Sequence, residues 1–282
     1  MSTTSSPHDS GLGTSTAAWD GSGHFADLPG VRLWYLDSGG DGSPIVFLHP
    51  NTGTSEIWQA QLTYFVHAGY RVIAPDRRGW GRSLADPATG PQPGSVAEDL
   101  DELLSLLQLD DVHLVGAAGG TFSALDFAAW RPGRVRTLVA SVSTGMIVDA
   151  AIAEFIDRIS VPALRAPNPA VYREVSAGYR GTNPEGTSKW IEIETTARQK
   201  DGEVALVRSP NTYEKLRLIK APVLALAGGA DLIAPPAMMR LWASQLSDAE
   251  FATIADAGHA LAYEQPEAFN DRVASFLRRR GA

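Results

Sequence analysis

The sequence predicts an α/β protein: a doubly wound, mostly parallel sheet with an inserted helical cap. Short apolar runs bounded by turn residues alternate with amphipathic helical stretches along most of the 282 residues, which is typical of repeated βα units. Strands covered on both faces of a parallel sheet are apolar throughout, and the runs have this character. Between residues 146 and 212 the alternation stops, and helical patterns follow one another without a strand.

These observations divide the chain into three parts. Residues 1–24 are mainly Ser, Thr, Gly and Pro, a composition too polar to offset the entropy of ordering, so we expect a flexible tail. Residues 25–145 and 213–282 are predicted to form an α/β core, with residues 146–212 as its cap. A cap inserted between parallel strands lies over their carboxyl ends, where open α/β sheets bind ligands.

In the first half of the core, two strands joined by a tight turn come first, and strands then alternate with helices. Ser95 and Glu98 have capping-box spacing ahead of leucines at helical intervals, which predicts an amphipathic helix from residue 96. A later helix stops before Pro132, because proline cannot continue a helix. The predicted strands here are residues 31–36, 44–48, 71–74 and 112–115, and the other predicted helices are residues 56–68 and 121–130.

The pattern continues up to the cap and resumes after it. Three more apolar runs predict strands at residues 137–141, 223–227 and 251–254, each leading towards a helix. Within the cap, residues 150–159, 169–179 and 188–199 have helical patterns. The order of elements therefore predicts one sheet interrupted by one helical insertion.

Composition excludes several classes of function. Asp and Glu number 32 against 24 Lys and Arg, and the net charge of −8 opposes binding to nucleic acids and anionic membranes. The sequence has no cysteine, so disulfides, thiolate metal sites and a cysteine nucleophile are excluded. No apolar run approaches membrane-spanning length, and the first Lys or Arg is Arg32, so we expect a cytoplasmic protein that does not enter membranes.

A glycine-rich turn follows the strand of residues 112–115. The run Gly116-Ala117-Ala118-Gly119-Gly120 leads directly into a predicted helix, which favours a sharp strand-to-helix turn. A phosphate-binding loop is not indicated, because the Gly-x-Gly-x-x-Gly spacing is absent and no lysine follows.

Several motifs, in order, resemble those of the α/β-hydrolase superfamily, and the resemblance extends over residues 31–277. One match alone would be unspecific, but their common order makes the resemblance strong. The matching segments are residues 45–53, containing His49-Pro50 where the family has His-Gly; 76–83, similar to Asp-x-Arg-Gly-x-Gly-x-Ser; 115–120, at the place of the nucleophile elbow; 226–231, similar to the acid loop; 256–259, similar to the histidine loop; and 264–269, similar to the helix that follows.

Ala118 departs from the family pattern. The resemblance places it where the Gly-x-Ser-x-Gly elbow holds its nucleophilic serine. Alanine has no hydroxyl group, so no acyl-enzyme can form there, and the aspartate nucleophile of related dehalogenases and epoxide hydrolases is equally absent.

The rest of a hydrolytic site is retained. The resemblance implies that His259 is a general base oriented by Asp231, with Asp149 as an alternative acid. It also implies that the backbone N–H groups of Asn51 and Gly119 form an oxyanion hole, which needs no serine side chain.

Two explanations of Ala118 remain open. In the first, alanine is natural, and the vacated space holds water, dioxygen or a substrate group on which His259 acts. In the second, alanine replaces the serine of an esterase, lactonase or carbon–carbon bond hydrolase, at a cost on the order of 10⁶ in turnover. The absence of an affinity tag or fusion scar favours the first.

The other polar residues are expected to be structural. His113 lies in a strand and is assigned to packing, and the resemblance implies that His49 organises loop hydrogen bonds. It also implies that the loop of residues 76–83 is architectural, and that Thr121 and Ser123 point away from the site. No cluster of His and carboxylate residues has metal-ligand spacing, so we expect no metal and no cofactor.

Aromatic and charged residues near the predicted pocket are candidate substrate contacts. Aromatic side chains with one or two converging charges suit a small anionic ring compound. The candidates are Trp58, Trp80, Tyr179, Arg180, Lys189 and Trp190. We expect a small-molecule substrate as the partner, and the sequence is compatible with a homo-oligomer.

Three hypotheses of function follow. The first is hydrolysis of a small ester, lactone or diketone by water that His259 and Asp231 activate. The second is cofactor-free dioxygenase or lyase chemistry on the same scaffold. The third is a non-catalytic binding protein, against which the retained His–Asp pair argues, because binding alone needs no oriented base.

Overall fold

The computed structural model describes residues 21–164, 168–205 and 207–281. Its strands are β1 (Gly23–Leu28), β2 (Val31–Asp37), β3 (Pro44–Leu48), β4 (Arg71–Pro75), β5 (Leu84–Ala85), β6 (Val112–Ala117), β7 (Val135–Ser141), β8 (Val223–Gly228) and β9 (Ala249–Ile254). They form one sheet in the order β1-β2-β4-β3-β6-β7-β8-β9, with β5 paired to β2. Neighbours from β4 to β9 are parallel, and only the pairs made by β2 are antiparallel. The predicted α/β class with a mostly parallel sheet is confirmed.

The helices complete the layers. They are α1 (Gln59–His67), α2 (Val96–Leu106), α3 (Gly119–Trp130), α4 (Ala150–Ile159), α5 (Val171–Glu174), α6 (Ala177–Thr182), α7 (Pro184–Ala197), α8 (Tyr213–Leu216), α9 (Pro236–Ala243), α10 (Leu261–Glu264) and α11 (Pro266–Arg280). As the capping-box spacing predicts, α2 begins after Ser95, whose hydroxyl accepts a hydrogen bond from the Glu98 N–H at 3.5 Å. None of the helices in the described ranges is both long and apolar enough to cross a bilayer.

Apolar packing covers both faces of the sheet. Alternate residues of a strand point to opposite faces: Val46 belongs to the cluster that packs under α2, α3 and α9, whereas Phe47 belongs to the cluster under α1 and α11. Both side chains are fully buried. This double covering explains the unbroken apolar runs in the sequence.

Two strands of the sheet, β1 and the two-residue β5, were not indicated by the sequence pattern. Strand β1 starts at Gly23, inside the last residues of the predicted tail, and pairs with β2 from Gly23 opposite Leu36 to Leu28 opposite Val31. Its exposed residues do not alternate regularly with buried ones, so the apolar pattern is weak. Residues 1–20 of the predicted tail lie outside the described residues.

Helices α4 to α7 lie between β7 and β8, in the segment that the sequence analysis assigns to a cap. The prediction of one continuous helix over residues 169–179 is wrong, because the structure has two short helices there, α5 and α6. Val175 is extended, with φ −99° and ψ 130°, and Ser176 then caps α6 by accepting a hydrogen bond from the Tyr179 N–H at 3.1 Å. The helix breaks at this point because Ser176 starts a new one.

Candidate active site

Strand β6 turns into helix α3 at a single strained residue. Ala118 has φ 48° and ψ −113°, a left-handed conformation that costs on the order of 1–3 kcal/mol for a residue with a side chain. Its N–H donates to the Ser141 carbonyl at 3.0 Å, and its own carbonyl accepts from the Ser143 hydroxyl at 2.9 Å. The surrounding strands therefore hold a sharp elbow at a residue that has no nucleophilic atom.

Glycines after the elbow allow the next loop to approach closely. A Cβ atom on Gly119 would lie 2.2 Å from Asn51 Oδ1, and one on Gly120 would lie 2.1 Å from the Leu48 carbonyl oxygen. The glycines are thus explained by contact with the end of β3, in agreement with the expected sharp turn. As the first residue of α3, Gly119 has an N–H group without a helical acceptor.

His259 and Asp231 form a buried hydrogen-bonded pair. His259 Nδ1 lies 2.8 Å from Asp231 Oδ2, and the two residues are 8% and 4% exposed. Asp231 Oδ1 accepts hydrogen bonds from the N–H groups of Ile233 at 2.7 Å and Ala234 at 2.9 Å. Because Nδ1 keeps its proton and donates it in a hydrogen bond to the carboxylate, the lone pair of Nε2 is left for a substrate or water.

The alternative acid does not contact the histidine. Asp149 caps α4, accepting hydrogen bonds from Ala151 N at 2.9 Å and Ile152 N at 3.2 Å. The carboxylate that the structure pairs with His259 is Asp231.

Opposing effects act on the pKa of His259. Burial lowers it, but the negative charge and hydrogen bond of Asp231, together with the charge of Glu174, outweigh burial and raise it above its ordinary value. Arg173 acts in the opposite sense. The environment therefore stabilises the imidazolium, the form that a general base takes after accepting a proton.

A cavity of about 170 Å³ opens between the elbow, the histidine and the cap. It is lined by Asn51, Thr52, Ala118, Gly119, Phe122, Ser143, Thr144, Glu174, Ile233 and His259. A second cavity of about 190 Å³ shares Thr144 and Ile233 with it, and the rest of its wall is mainly aliphatic. The two are therefore neighbours, one polar and one apolar.

The loop after β3 is fixed by hydrogen bonds. His49 Nε2 accepts from Arg77 N at 3.0 Å, and Nδ1 lies 2.8 Å from the Pro50 carbonyl oxygen. Burial, with the charge of Arg77, holds the pKa of His49 well below its usual range, so the ring is neutral and Nδ1 donates. Trp80 Nε1 donates to the Asn51 carbonyl at 2.7 Å. These bonds set the position of Asn51 in the cavity wall.

The other predicted substrate contacts have different surroundings. Trp58 lines a small, narrow cavity of about 20 Å³ on the other side of His259, whereas Trp80 supports the Asn51 loop. Trp190 is 1% exposed inside the apolar cluster of the cap. Among these described side chains, none contributes to the wall of the larger cavity beside Ala118.

The remaining cap candidates lie on its outer parts. The ring of Tyr179 packs against Tyr263 with centroids 6.0 Å apart, and the Arg180 guanidinium lies over the Tyr172 ring. Lys189 is exposed and pairs with Glu192 at 3.6 Å.

Several other polar residues form hydrogen bonds or ion pairs within the fold. His113 Nδ1 lies 2.9 Å from Thr137 Oγ1 inside the sheet. Arg78 pairs with Asp99 at 2.7 Å, and the Thr121 hydroxyl donates to the Gly116 carbonyl at 2.9 Å. Within the described ranges, no group of three or more His, Asp or Glu residues is placed to hold a metal ion.

The cavity contains a carboxyl group that the sequence analysis missed. Glu174, at the end of α5, is 7% exposed, and its Oε2 accepts a hydrogen bond from the Thr52 hydroxyl at 2.7 Å. Burial raises its pKa. In the sequence, Glu174 is one of several acidic residues on cap helices, and only the three-dimensional position of α5 distinguishes it.

The sheet order, the elbow and the His–Asp pair define an α/β-hydrolase-type protein. The sequence profile of the alpha/beta hydrolase family matches residues 45–272, and the chain belongs to this family. It is 30% identical over 269 residues to a non-heme chloroperoxidase of Streptomyces lividans, which covers 88% of this chain and 97% of that protein.

Solved structures have the same fold. An N-acyl homoserine lactone degrading enzyme matches with a TM-score of 0.72 and 30% identity, over 90% of this chain and 100% of that one. A thermophilic esterase from Thermogutta terrifontis matches with a TM-score of 0.76 over 92% of this chain and 100% of that one. At 24% identity, the second match concerns the fold alone.

Proposed function

We propose that this protein hydrolyses a small ester, lactone or diketone with water that the His259–Asp231 pair activates. His259 Nε2 removes a proton from water as the water oxygen attacks the carbonyl carbon. The backbone N–H groups of Asn51 and Gly119 then stabilise the resulting oxyanion. No covalent enzyme intermediate forms, because Ala118 has no nucleophilic atom.

One observation carries the proposal: His259, which is hydrogen-bonded to the buried Asp231 at 2.8 Å, lines the same cavity as Ala118. A methyl group in place of a hydroxymethyl group leaves room next to the imidazole for a water molecule. A positioned general base is worth roughly 10² to 10⁴ in rate, and each oxyanion donor a similar amount. Such a site suits activated carbonyl compounds such as lactones, aryl esters and diketones, rather than amides.

The apolar neighbouring cavity supports a substrate with an aliphatic chain. Its wall includes Ile156, Ile159, Val161, Leu164 and Leu232. Because it shares Thr144 and Ile233 with the cavity of His259, a carbonyl group bound at the elbow would direct its chain into this space. The 30% identical neighbour is described as degrading an N-acyl homoserine lactone, a compound with both a lactone and an acyl chain.

The first experiment compares the protein with its His259→Ala variant on 4-nitrophenyl butyrate and an aliphatic lactone. We expect turnover to fall at least about 10²-fold, the lower end for a general base. Oxygen uptake is recorded in parallel with an enolisable diketone. Activity that survives His259→Ala contradicts the proposal, and so does oxygen consumption stoichiometric with turnover, which indicates the dioxygenase. Tight binding of the lactone without any turnover indicates a binding protein.

A further inference from the structure

Glu174 is a buried carboxyl group in the active-site cavity that the proposed function does not use. Its side chain accepts a hydrogen bond from Thr52 Oγ1 at 2.7 Å. Its backbone carbonyl accepts from the N–H of Ala260, the residue after His259, at 2.9 Å. Side chain and backbone thus fix Glu174 between the β3 loop and the histidine loop, in the wall of the same cavity as His259.

The charges around Glu174 couple it to the histidine. Burial raises the pKa of Glu174, while the charge of His259, the Thr52 hydrogen bond and the charge of Arg173 lower it and Glu194 raises it. Arg173 Nη2 lies 3.7 Å from Glu174 Oε1. Conversely, the charge of Glu174 raises the pKa of His259. Two groups that interact in this way take up and release protons as a pair.

We propose that Glu174 is the general acid that protonates the leaving group, an inference that rests on the proposed function. As water attacks, one of its O–H bonds breaks, a bond from its proton to His259 Nε2 forms, and the carbonyl π electrons move to the oxyanion. When the carbonyl re-forms, the bond to the leaving oxygen breaks with its electron pair, and that oxygen takes the proton of Glu174. His259 then gives its proton to Glu174, and one water and one ester have become an acid and an alcohol.

Hydrolysis without serine makes such an acid useful. In a serine hydrolase, the histidine takes the proton of the nucleophile and gives it to the leaving group. At this site the proton on His259 comes from the attacking water, so a second carboxyl group in the cavity wall can protonate the leaving oxygen at once. An alkoxide leaving group needs this proton, whereas a 4-nitrophenolate does not, because it is already stable as an anion.

The test compares Glu174→Gln with the parent on 4-nitrophenyl butyrate and ethyl butyrate. Glutamine keeps the size of the side chain and can accept the Thr52 hydrogen bond, but it has no proton to give. We expect kcat for the ethyl ester to fall at least about 10²-fold and kcat for the aryl ester to change less than about 3-fold. Glu192→Gln is the matched control, because Glu192 is 71% exposed on the cap, and it should leave both rates unchanged.

The pH profile on the ethyl ester gives a readout that a structural role would not change. The pair is active with one proton, so activity falls at low pH, where His259 is protonated as well, and at high pH, where Glu174 has lost its proton. In Glu174→Gln, we expect the high-pH decline to disappear. The low-pH decline should change little, because Glu174 is protonated and uncharged at that pH in the parent, as glutamine is uncharged in the variant.

A second variant keeps the test decisive if Glu174→Gln does not fold, as judged by circular dichroism. The Thr52 hydrogen bond lowers the pKa of Glu174, so Thr52→Val should move the high-pH decline to higher pH. Equal losses on both esters, or an unchanged high-pH decline, overturn the role of Glu174. If His259→Ala loses activity but Glu174→Gln keeps the leaving-group dependence of the parent, only the role of Glu174 is refuted. If turnover survives in His259→Ala, the proposed function is refuted as well.

Discussion

Arg77 donates a hydrogen bond from Nη2 to Asn51 Oδ1 at 3.0 Å, and it thereby sets a buried cation against the loop that carries the proposed oxyanion donor. The guanidinium carbon lies 4.5 Å from the centroid of the Trp80 ring. Burial lowers the pKa of Arg77 to about 9, and its Nε has no hydrogen-bond partner among the described residues. Such a group fixes the loop and adds positive potential near a developing oxyanion.

Arg77→Met should therefore reduce kcat about tenfold with little change in KM, less than the loss of a whole oxyanion donor. Methionine keeps an apolar stem against Trp80 but removes the charge and the hydrogen bond to Asn51. Steady-state kinetics on 4-nitrophenyl butyrate measures the effect. Arg82→Met serves as the control, since the Arg82 side chain is 53% exposed. A similar loss in both variants would contradict a specific role for Arg77.

Asp231→Asn tests the orientation of the base. Loss of the carboxylate should reduce kcat by roughly 10² to 10⁴, because the histidine loses its preferred tautomer and its counter-charge. The charge and hydrogen bond of Asp231 raise the pKa of His259, so the low-pH decline of the variant should move to lower pH. A full pH–rate profile shows both effects.

The control for this experiment is Asp149→Ala, which removes the acid that the sequence offered as an alternative. Since Asp149 caps α4, its loss should cost about 1 kcal/mol of stability in urea unfolding and leave kcat unchanged. If Asp149→Ala removed turnover and Asp231→Asn did not, the assignment of the acid would be reversed.

The candidate catalytic residues near the ends of strands could be predicted from the sequence. Ala118, Asp231 and His259 each follow an apolar strand within a few residues, and parallel strands bring such positions to one edge of the sheet. The resemblance to the α/β-hydrolase superfamily implied that Asp231 and His259 would meet near Ala118, and the parallel topology gives the physical reason. The choice between Asp231 and Asp149 needed coordinates, because both follow strands.

The cap was much less predictable. Glu174 and Trp190 both lie on cap helices with similar patterns, yet one is in the cavity wall and the other is in the interior of the cap. How a short helix is oriented depends on tertiary packing, here on hydrogen bonds such as that from Ala260 N to the Glu174 carbonyl. The break at Val175 has the same origin, since helical propensity is easily overridden by local capping and packing.

Ala118→Ser tests whether the site works without serine. A serine hydroxyl would occupy the space next to the imidazole that the proposal gives to the attacking water. We therefore expect kcat on 4-nitrophenyl butyrate to rise no more than about tenfold. An intact serine triad would contribute on the order of 10⁶ in turnover. Progress curves and mass spectrometry for an acyl-enzyme provide the measurement. A gain of three orders of magnitude would show that a serine triad is otherwise intact.

Ala118→Gly is the companion variant. Glycine adopts a positive φ without the steric cost of a side chain, so we expect a gain in stability of about 1 kcal/mol. Activity should stay within a few-fold, because the space beside His259 is kept. A loss of stability in thermal unfolding would argue against strain at this elbow.

The apolar cavity predicts a preference for longer acyl chains. Each added CH₂ that is buried contributes about 0.8 kcal/mol, or roughly a fourfold rise in kcat/KM, until the cavity is full. Ile159→Ser should flatten this rise from butyrate to hexanoate 4-nitrophenyl esters, since Ile159 lines the cavity. Ile191→Ser, at a residue 40% exposed on α7, should keep the rise. The same chain-length dependence in both variants would place the chain elsewhere.

Buried His113 predicts a pH dependence of stability that is independent of catalysis. The residue is 2% exposed, and burial, with the charge of Arg136, lowers its pKa to about 4. A base whose pKa is lowered in the folded state is protonated more readily in the unfolded chain. Its contribution to the free energy of unfolding is therefore complete above pH 6.5 and is lost as the pH falls towards 4.

Urea unfolding of the parent and His113→Asn at pH 7.5 and pH 4.5 measures this contribution. Between these values, the parent should lose about 2 to 3 kcal/mol more than the variant, because asparagine does not titrate and can still bond to Thr137. All other titrating groups cancel in the comparison. His67→Asn, at an exposed position on α1, should lose as much as the parent. If His113→Asn also matched the parent, the histidine would not be the source of the acid sensitivity.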